Sequence, residues 1–230
     1  MVRQFIRRMF LSVCCGAVLC GNFSLAAKDS TPHSFWYVGA GGGFAPPFFF
    51  GLINDIYATV PASPVVNIFG GFENRIVGSH HLGGEFTVAQ SFPVDAREEN
   101  FIPTVSQTYP TGSTVWYRNV MQTVAVASAR YSFDLSERWS LFARVGAGIR
   151  GVSARIELVS PAGAVYEAAS PSGVMPVFSA GFGIEFNASV WGRFALAYQS
   201  MPPAVYRTGV GTTTIRASDL FLLQWRYAFY

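Results

Sequence analysis

The chain has 230 residues, of which 50% are apolar, 16% aromatic and only 13% charged, with a mean hydropathy of +0.30. A soluble globular domain carries about 25% charged residues, so this composition excludes intrinsic disorder and collagen-like repeats and argues against water on every side. The formal charge of +3 comes from the first residues alone, so it supports neither a nucleic-acid nor a polyanion partner.

Arg3, Arg7 and Arg8 precede an apolar run from Met9 to Leu19, and Asn22-Phe23-Ser24-Leu25-Ala26-Ala27 leads into small residues. That order predicts a secretory signal peptide over residues 1–27, cleaved after Ala26 or Ala27, ahead of a mature domain at 28–230. The apolar run is shorter than the about 20 residues that a spanning helix needs. Large Leu19 before Cys20 argues against lipid attachment at that cysteine. Cleavage removes three basic residues from 16 and none of the 13 acidic ones, leaving a neutral mature chain. Cys14, Cys15 and Cys20, all the cysteines present, leave too. The exported domain therefore relies on burial and backbone pairing rather than on disulfides.

Between Asp29 and Asp55 no residue is charged, yet Gly39, Gly41, Gly42, Gly43 and Pro46-Pro47 exclude a helix. The period along the chain is two. Strands are predicted at 35–44, 64–74, 80–92, 114–132, 139–157, 174–186, 193–201 and 218–230. In the third, Leu82, Phe86, Val88 and Phe92 share one face against His81, Glu85, Thr87 and Ser91. In the sixth, Phe178, Phe182, Ile184 and Phe186 oppose Ser179, Gly181, Gly183 and Glu185, and in the seventh Phe194, Leu196 and Tyr198 oppose Arg193, Ala195, Ala197 and Gln199. The last strand is the clearest, with Phe221, Leu223, Trp225, Tyr227 and Phe229 alternating with Leu222, Gln224, Arg226 and Ala228.

A soluble sandwich would coat its outer face with Lys, Glu and Thr. This chain has a single lysine, Lys28, and its second face is small and sparsely charged. Large apolar residues facing lipid, small ones facing a narrow lumen, and Trp36, Tyr131, Trp139, Trp191 and Tyr227 near strand ends predict an all-β fold. It is an eight-stranded antiparallel up-and-down transmembrane β-barrel, preceded by a cleavable signal peptide. Ten strands, using part of a long loop, is the alternative count. Connections alternate between long (45–63, 93–113, 158–173, 202–217) and short (75–79, 133–138, 187–192), which places both chain ends in the periplasm of a Gram-negative cell.

An eight-stranded barrel has an interior just wide enough for side chains. Alternation turns Glu85, Arg144, Arg150, Glu185 and Arg226 inward, where charges are costly alone, and predicts an ion-pair cluster that holds strand register. A position at the wet rim is the alternative for several of them. The first long loop carries Phe48, Phe49 and Phe50 as contact candidates, unless they extend the first strand into the lipid girdle. The second, with Asp95, Arg97, Glu98 and Glu99, reads as polar and mobile.

Gly146-Ala147-Gly148-Ile149-Arg150-Gly151 fits a dinucleotide fingerprint in letters, but strand-like residues follow it where a helix must begin, so it reads as barrel wall. His80 and His81 face opposite sides of a strand and cannot share a metal; they read as a solvated turn pair. Ser79, His81 and Glu85 supply the residue types of a hydrolase, but at the end away from outer-leaflet lipid A. No catalytic residue, cofactor or metal site is assigned.

The pieces Trp36-Tyr37-Val38-Gly39-Ala40-Gly41, Tyr131-Ser132-Phe133-Asp134-Leu135 running through Trp139 to Val145-Gly146-Ala147-Gly148, and Ala180-Gly181-Phe182-Gly183-Ile184-Glu185-Phe186, with the aromatic final strand, resemble the small outer-membrane β-barrel family of opacity-type and OmpA-like surface proteins. The resemblance implies a non-enzymatic structural, adhesive or antigenic role in the outer membrane. Its implied partners are outer-membrane lipid and lipopolysaccharide, periplasmic chaperones, the barrel-insertion machinery and a host-surface ligand. It also implies a C-terminal insertion signal in Phe221, Leu223, Trp225, Tyr227, Phe229 and Tyr230, departing from the usual terminal Phe because Tyr230 follows Phe229. A lipid A modifying enzyme and a narrow channel are the alternatives.

Overall fold

The computed structural model describes residues 34–52, 56–101, 113–169, 172–188, 191–202, 204–208, 211–215 and 218–229. The predicted signal peptide and Tyr230 lie outside them. Among the described residues the chain is almost entirely strand: β1 (Ser34–Ala45), β2 (Phe48–Leu52), β3 (Ile56–Val60), β4 (Ser63–Val77), β5 (His80–Ser91), β6 (Val94–Phe101), β7 (Ser113–Asp134), β8 (Trp139–Val159), β9 (Val165–Ala169), β10 (Ser172–Asn187), β11 (Arg193–Met201), β12 (Ala204–Thr208), β13 (Gly211–Ile215) and β14 (Ser218–Phe229).

Antiparallel ladders join β1-β4-β5-β7-β8-β10-β11-β14, and β14 pairs back onto β1 from Trp36↔Phe229 to Phe44↔Phe221, closing a ring of eight strands. Closure leaves no sheet edge within the ring, as hydrocarbon surroundings require. The eight expected segments are these eight strands. The apolar face points outward: Trp36, Val38, Phe72, Phe86, Leu141, Val145, Phe178, Phe182, Leu196, Leu223 and Trp225 are all exposed. Trp36, Tyr131, Trp139, Trp191 and Tyr227 are exposed together at the short-turn end.

The long connections correct the expectation of irregular loops. They carry β2, β3, β6, β9, β12 and β13; on four seams the ladder resumes beyond the break without a change of register, whereas β6 rejoins β7 with a one-residue shift between Val94 and Ala96. Pairing that stops at Ala45↔Ser63 restarts at Phe48↔Val60, with equal numbers of residues skipped on both strands. Met201↔Ser218 restarts at Ala204↔Ile215, and Ser172↔Ser153 at Ala169↔Ile156. Even the closing seam resumes, from Phe44↔Phe221 to Leu52↔Thr213. The hairpins rise past the ring as a second tier. Asp95, expected on a mobile polar loop, lies instead on strand β6, tied by Arg118 and by the backbone of Asn119.

Two of the eight seams do not resume. The β4–β5 ladder stops at Val65↔Ser91, and β3 and β6 then run side by side without ladder bonds; β10 and β12 do the same above Ala180↔Ser200. The upper tier is thus two separate leaves, β12-β13-β2-β3 and β6-β7-β8-β9. Prolines, which cannot donate to a ladder, stand at the joint: Pro46, Pro47, Pro61, Pro64, Pro93, Pro176 and Pro202.

Candidate functional site

The interior is stacked in layers. Around the lower half of the barrel, each of the eight ring strands contributes at least one side chain to a single buried network, among them Tyr37 from β1, Glu73 from β4, Glu85 from β5, Arg130 from β7, Arg144 from β8, Glu185 from β10, Gln199 from β11 and Arg226 from β14. Glu73, Arg226, Glu185 and Arg130 form a closed cycle of alternating charge. Arg130 donates from Nε to Glu73 Oε1 at 2.6 Å and from Nη2 to Glu185 Oε1 at 2.6 Å. Arg226 donates from Nη1 to Glu73 Oε1 at 2.9 Å and from Nη2 to Glu185 Oε2. Glu85 joins through Arg144 Nη1 at 2.6 Å, and also accepts from the Tyr37 hydroxyl at 3.1 Å and Thr87 Oγ1 at 3.1 Å. Arg144 Nη2 donates to Gln199 Oε1 at 3.0 Å, whose amide nitrogen donates to Ser179 Oγ at 2.7 Å.

Three carboxylates meet the buried guanidiniums of Arg130, Arg144 and Arg226, and the partly buried Arg193 approaches Glu185 at 3.7 Å. Each buried charge has an opposite partner, the condition for tolerating such groups away from water. Aromatic rings fill the remaining space: the Arg130 guanidinium lies 3.9 Å from the Phe142 ring centre and that of Arg226 lies 4.8 Å from Tyr37.

Of the residues expected inside, Glu85, Arg144, Glu185 and Arg226 are brought together here. Arg150 is buried but apart, further up β8, donating to Ser218 Oγ at 3.0 Å and to the Pro202 carbonyl at 3.2 Å. Glu73, Arg130 and Tyr37 were not singled out from the sequence, although alternation contains them: each stands beside an outward ring, Phe72, Tyr131 or Trp36. The second face of the strands is also bulkier than expected. Phe35, Tyr37, Phe69 and Phe142 all point inward, and the last three fit because glycines sit opposite. Phe69 pairs with Gly39 and Phe142 with Gly183, where a Cβ would stand 2.3 and 2.5 Å from the respective rings.

Above the charge layer lies an apolar one, including Val65, Val124, Val126, Leu220, Leu222 and Met201. A polar rim of Ser63, Ser91, Gln122, Arg150 and Ser218 follows, and beyond it Val60, Ala96, Tyr117 and Val120 are buried in the upper part of the chain. The inward position of Tyr117 depends on a bulge at Asn119, with φ 53°, which shifts the β7–β8 register between Arg118 and Met121. Asp95 ties down this bulge, accepting from the Asn119 backbone N–H at 2.8 Å and from Arg118 Nη1 at 2.9 Å. These two donors hold the Asp95 carboxyl below its ordinary range.

The histidines are not a solvated turn pair. His80 opens β5 and bonds the Tyr131 hydroxyl outside the barrel, while His81 points inward and its Nε2 meets Asp134 Oδ2 at 2.9 Å. Strand pairing from the first residue of β5 draws them out of the turn. Ser79, His81 and Glu85 do not assemble: Glu85 is held by arginines, and Asp134 stands between His81 and Ser140, whose Oγ donates to Asp134 Oδ1 at 2.6 Å. The Gly146–Gly151 stretch is β8 wall. Phe221, Leu223, Trp225 and Tyr227 are exposed along the outer face of β14, with Phe229 at its end. The backbone of Phe48, Phe49 and Phe50 lies in β2, paired with β3; their side chains fall outside the described residues.

The ring, its apolar exterior and its ion-paired interior layer define a class: an eight-stranded β-barrel of the bacterial outer membrane. No family model and no curated protein matches the chain. Among solved structures it is similar to the attachment invasion locus protein Ail of Yersinia pestis in complex with the heparin analogue sucrose octasulfate, at 15% identity over 85% of this chain and 100% of that one (TM-score 0.38). It is also similar to Neisserial surface protein A (13% identity, 84% and 97% covered, TM-score 0.40) and to the outer membrane protein OprG from Pseudomonas aeruginosa (11%, 88% and 100%, TM-score 0.43). The fold assignment rests on the chain's own ladders.

Proposed function

We propose that this chain, exported by the segment at residues 1–27, is a non-enzymatic surface protein whose working part is the upper tier, held outside the cell by the barrel. Its role is structural, adhesive or antigenic. The observation that carries this reading is the construction of the two ends. The interior is filled layer by layer with packed side chains, so a solute path is disfavoured, while the long-loop end is built into paired β-structure. The short-turn end faces the periplasm, and the C-terminal stretch carrying Phe221, Leu223, Trp225, Tyr227, Phe229 and Tyr230 is the signal read by the insertion machinery.

The ligand sought is a component of a host surface, and Phe48, Phe49 and Phe50 on β2 are the contact candidates. The test replaces residues 46–62 and 202–217 by short turns. The shortened barrel keeps its heat-sensitive gel mobility but loses cell and matrix binding; full binding by a correctly folded shortened barrel overturns the reading.

A further inference from the structure

We infer that the upper tier is a two-leaved clasp, hinged on the proline joint and parting along the β3/β6 and β10/β12 seams. Three observations meet here. First, the register of four ring seams, including the closing one, continues from the ring into the tier, so each leaf keeps the strand alignment of the wall below it and moves as one paired unit. Second, among the described residues no ladder joins one leaf to the other, although β3 lies against β6 and β10 against β12. Third, the ladder is interrupted where Pro46, Pro47, Pro61 and Pro202 stand, positions with no N–H to offer.

Hydrogen-bonded ladders open only in cooperative units, whereas a seam held by side-chain packing opens at lower free energy. Among the described side chains, the β3/β6 seam brings together two small apolar residues. Val60 and Ala96 are both buried there, at 0% and 5% exposure, and would be direct partners if the β4–β5 register ran on. Parting the leaves exposes an apolar floor of Val60, Ala96 and Val120 above the polar rim at Gln122. The closed ring below, laddered on every seam, does not take part.

The inference rests on the reading that this end lies outside the cell, and the experiment separates the two. Single-cysteine variants Val60→Cys and Val120→Cys in the clasp, Val65→Cys and Val124→Cys in the ring, and exposed Pro61→Cys are treated on intact cells with a membrane-impermeant maleimide, in a mature chain that otherwise lacks cysteine. Labelling of Pro61→Cys reports which side the tier faces, and its failure overturns the topology alone. A parting clasp labels Val60→Cys and Val120→Cys about tenfold or more faster than Val65→Cys and Val124→Cys, and replacing Pro46, Pro47 and Pro202 by alanine slows the clasp positions only. Equal slow rates at all four buried sites, or fast labelling unaffected by proline replacement, overturn it. If Val60→Cys fails to insert, judged by heat-modified mobility, Ala96→Cys takes its place on the same seam.

Discussion

Arg130 illustrates how much one buried residue can hold. Its guanidinium touches Glu73, Glu85 and Glu185, so Arg130→Met leaves each carboxylate with one fewer counter-charge and is expected to destabilise the barrel by about 3–5 kcal/mol. Arg138→Met, on an exposed turn, changes stability by less than about 0.5 kcal/mol. Urea unfolding in detergent, followed by tryptophan fluorescence, measures both. Gly39 makes a second test: a Cβ there meets the Phe69 ring at 2.3 Å and the Trp225 carbonyl at 2.5 Å, whereas at Gly84 the nearest atom is a Phe72 ring carbon at 3.0 Å. Gly39→Ala should lower the temperature at which the compact gel band is lost, and Gly84→Ala should not. The charges at Glu85, Arg144, Glu185 and Arg226 were legible because each sits between lipid-facing residues. Phe69 and Phe142 hid the rest of the layer, since an inward ring has the same letter as an outward one and only its glycine partner across the ladder distinguishes them.

At the scale of the element, the bulge in β7 decides what the upper tier buries. Asn119 tolerates φ 53° better than a branched residue does, and Asn119→Val is expected to cost about 1–2 kcal/mol, with Asn119→Gly close to neutral. The Asp95 tie adds a pH dependence. Its carboxyl is held below the ordinary range, so its contribution is complete above the unfolded value and is lost as pH falls through the lowered folded one. Protection of the Asn119 amide against exchange, relative to its intrinsic rate at the same pH, should fall below about pH 4, and Asp95→Ala should abolish that dependence. Strand number and strand limits were legible in the alternation of the eight ring strands. The upper strands were not: glycine, proline and short polar runs mark breaks, and nothing in a broken alternation says that register survives the break.

For the molecule as a whole, the apolar layer of Val65, Leu220 and Leu222 stands over the charge layer, and the proposal of a non-channel surface protein makes a prediction about conductance. Purified protein in planar bilayers is expected to show no steady conductance steps, and regular openings in the folded form would contradict it. Protease added to intact cells should cut only within the upper tier, at the proline joint or at hairpin tips.

The charge layer takes at least one member from every wall strand, and that has a consequence for assembly. A partial barrel lacking any one strand carries an unanswered charge or an unanswered hydroxyl or amide. A barrel zipped with β14 two residues out of step still turns oily side chains outward, but it carries Arg226 away from Glu73 and Glu185. Outward hydrophobicity cannot detect that error; the layer can. The aligned closure of β14 on β1 thus keeps the Arg226 pairs with Glu73 and Glu185 that a slipped one would lose.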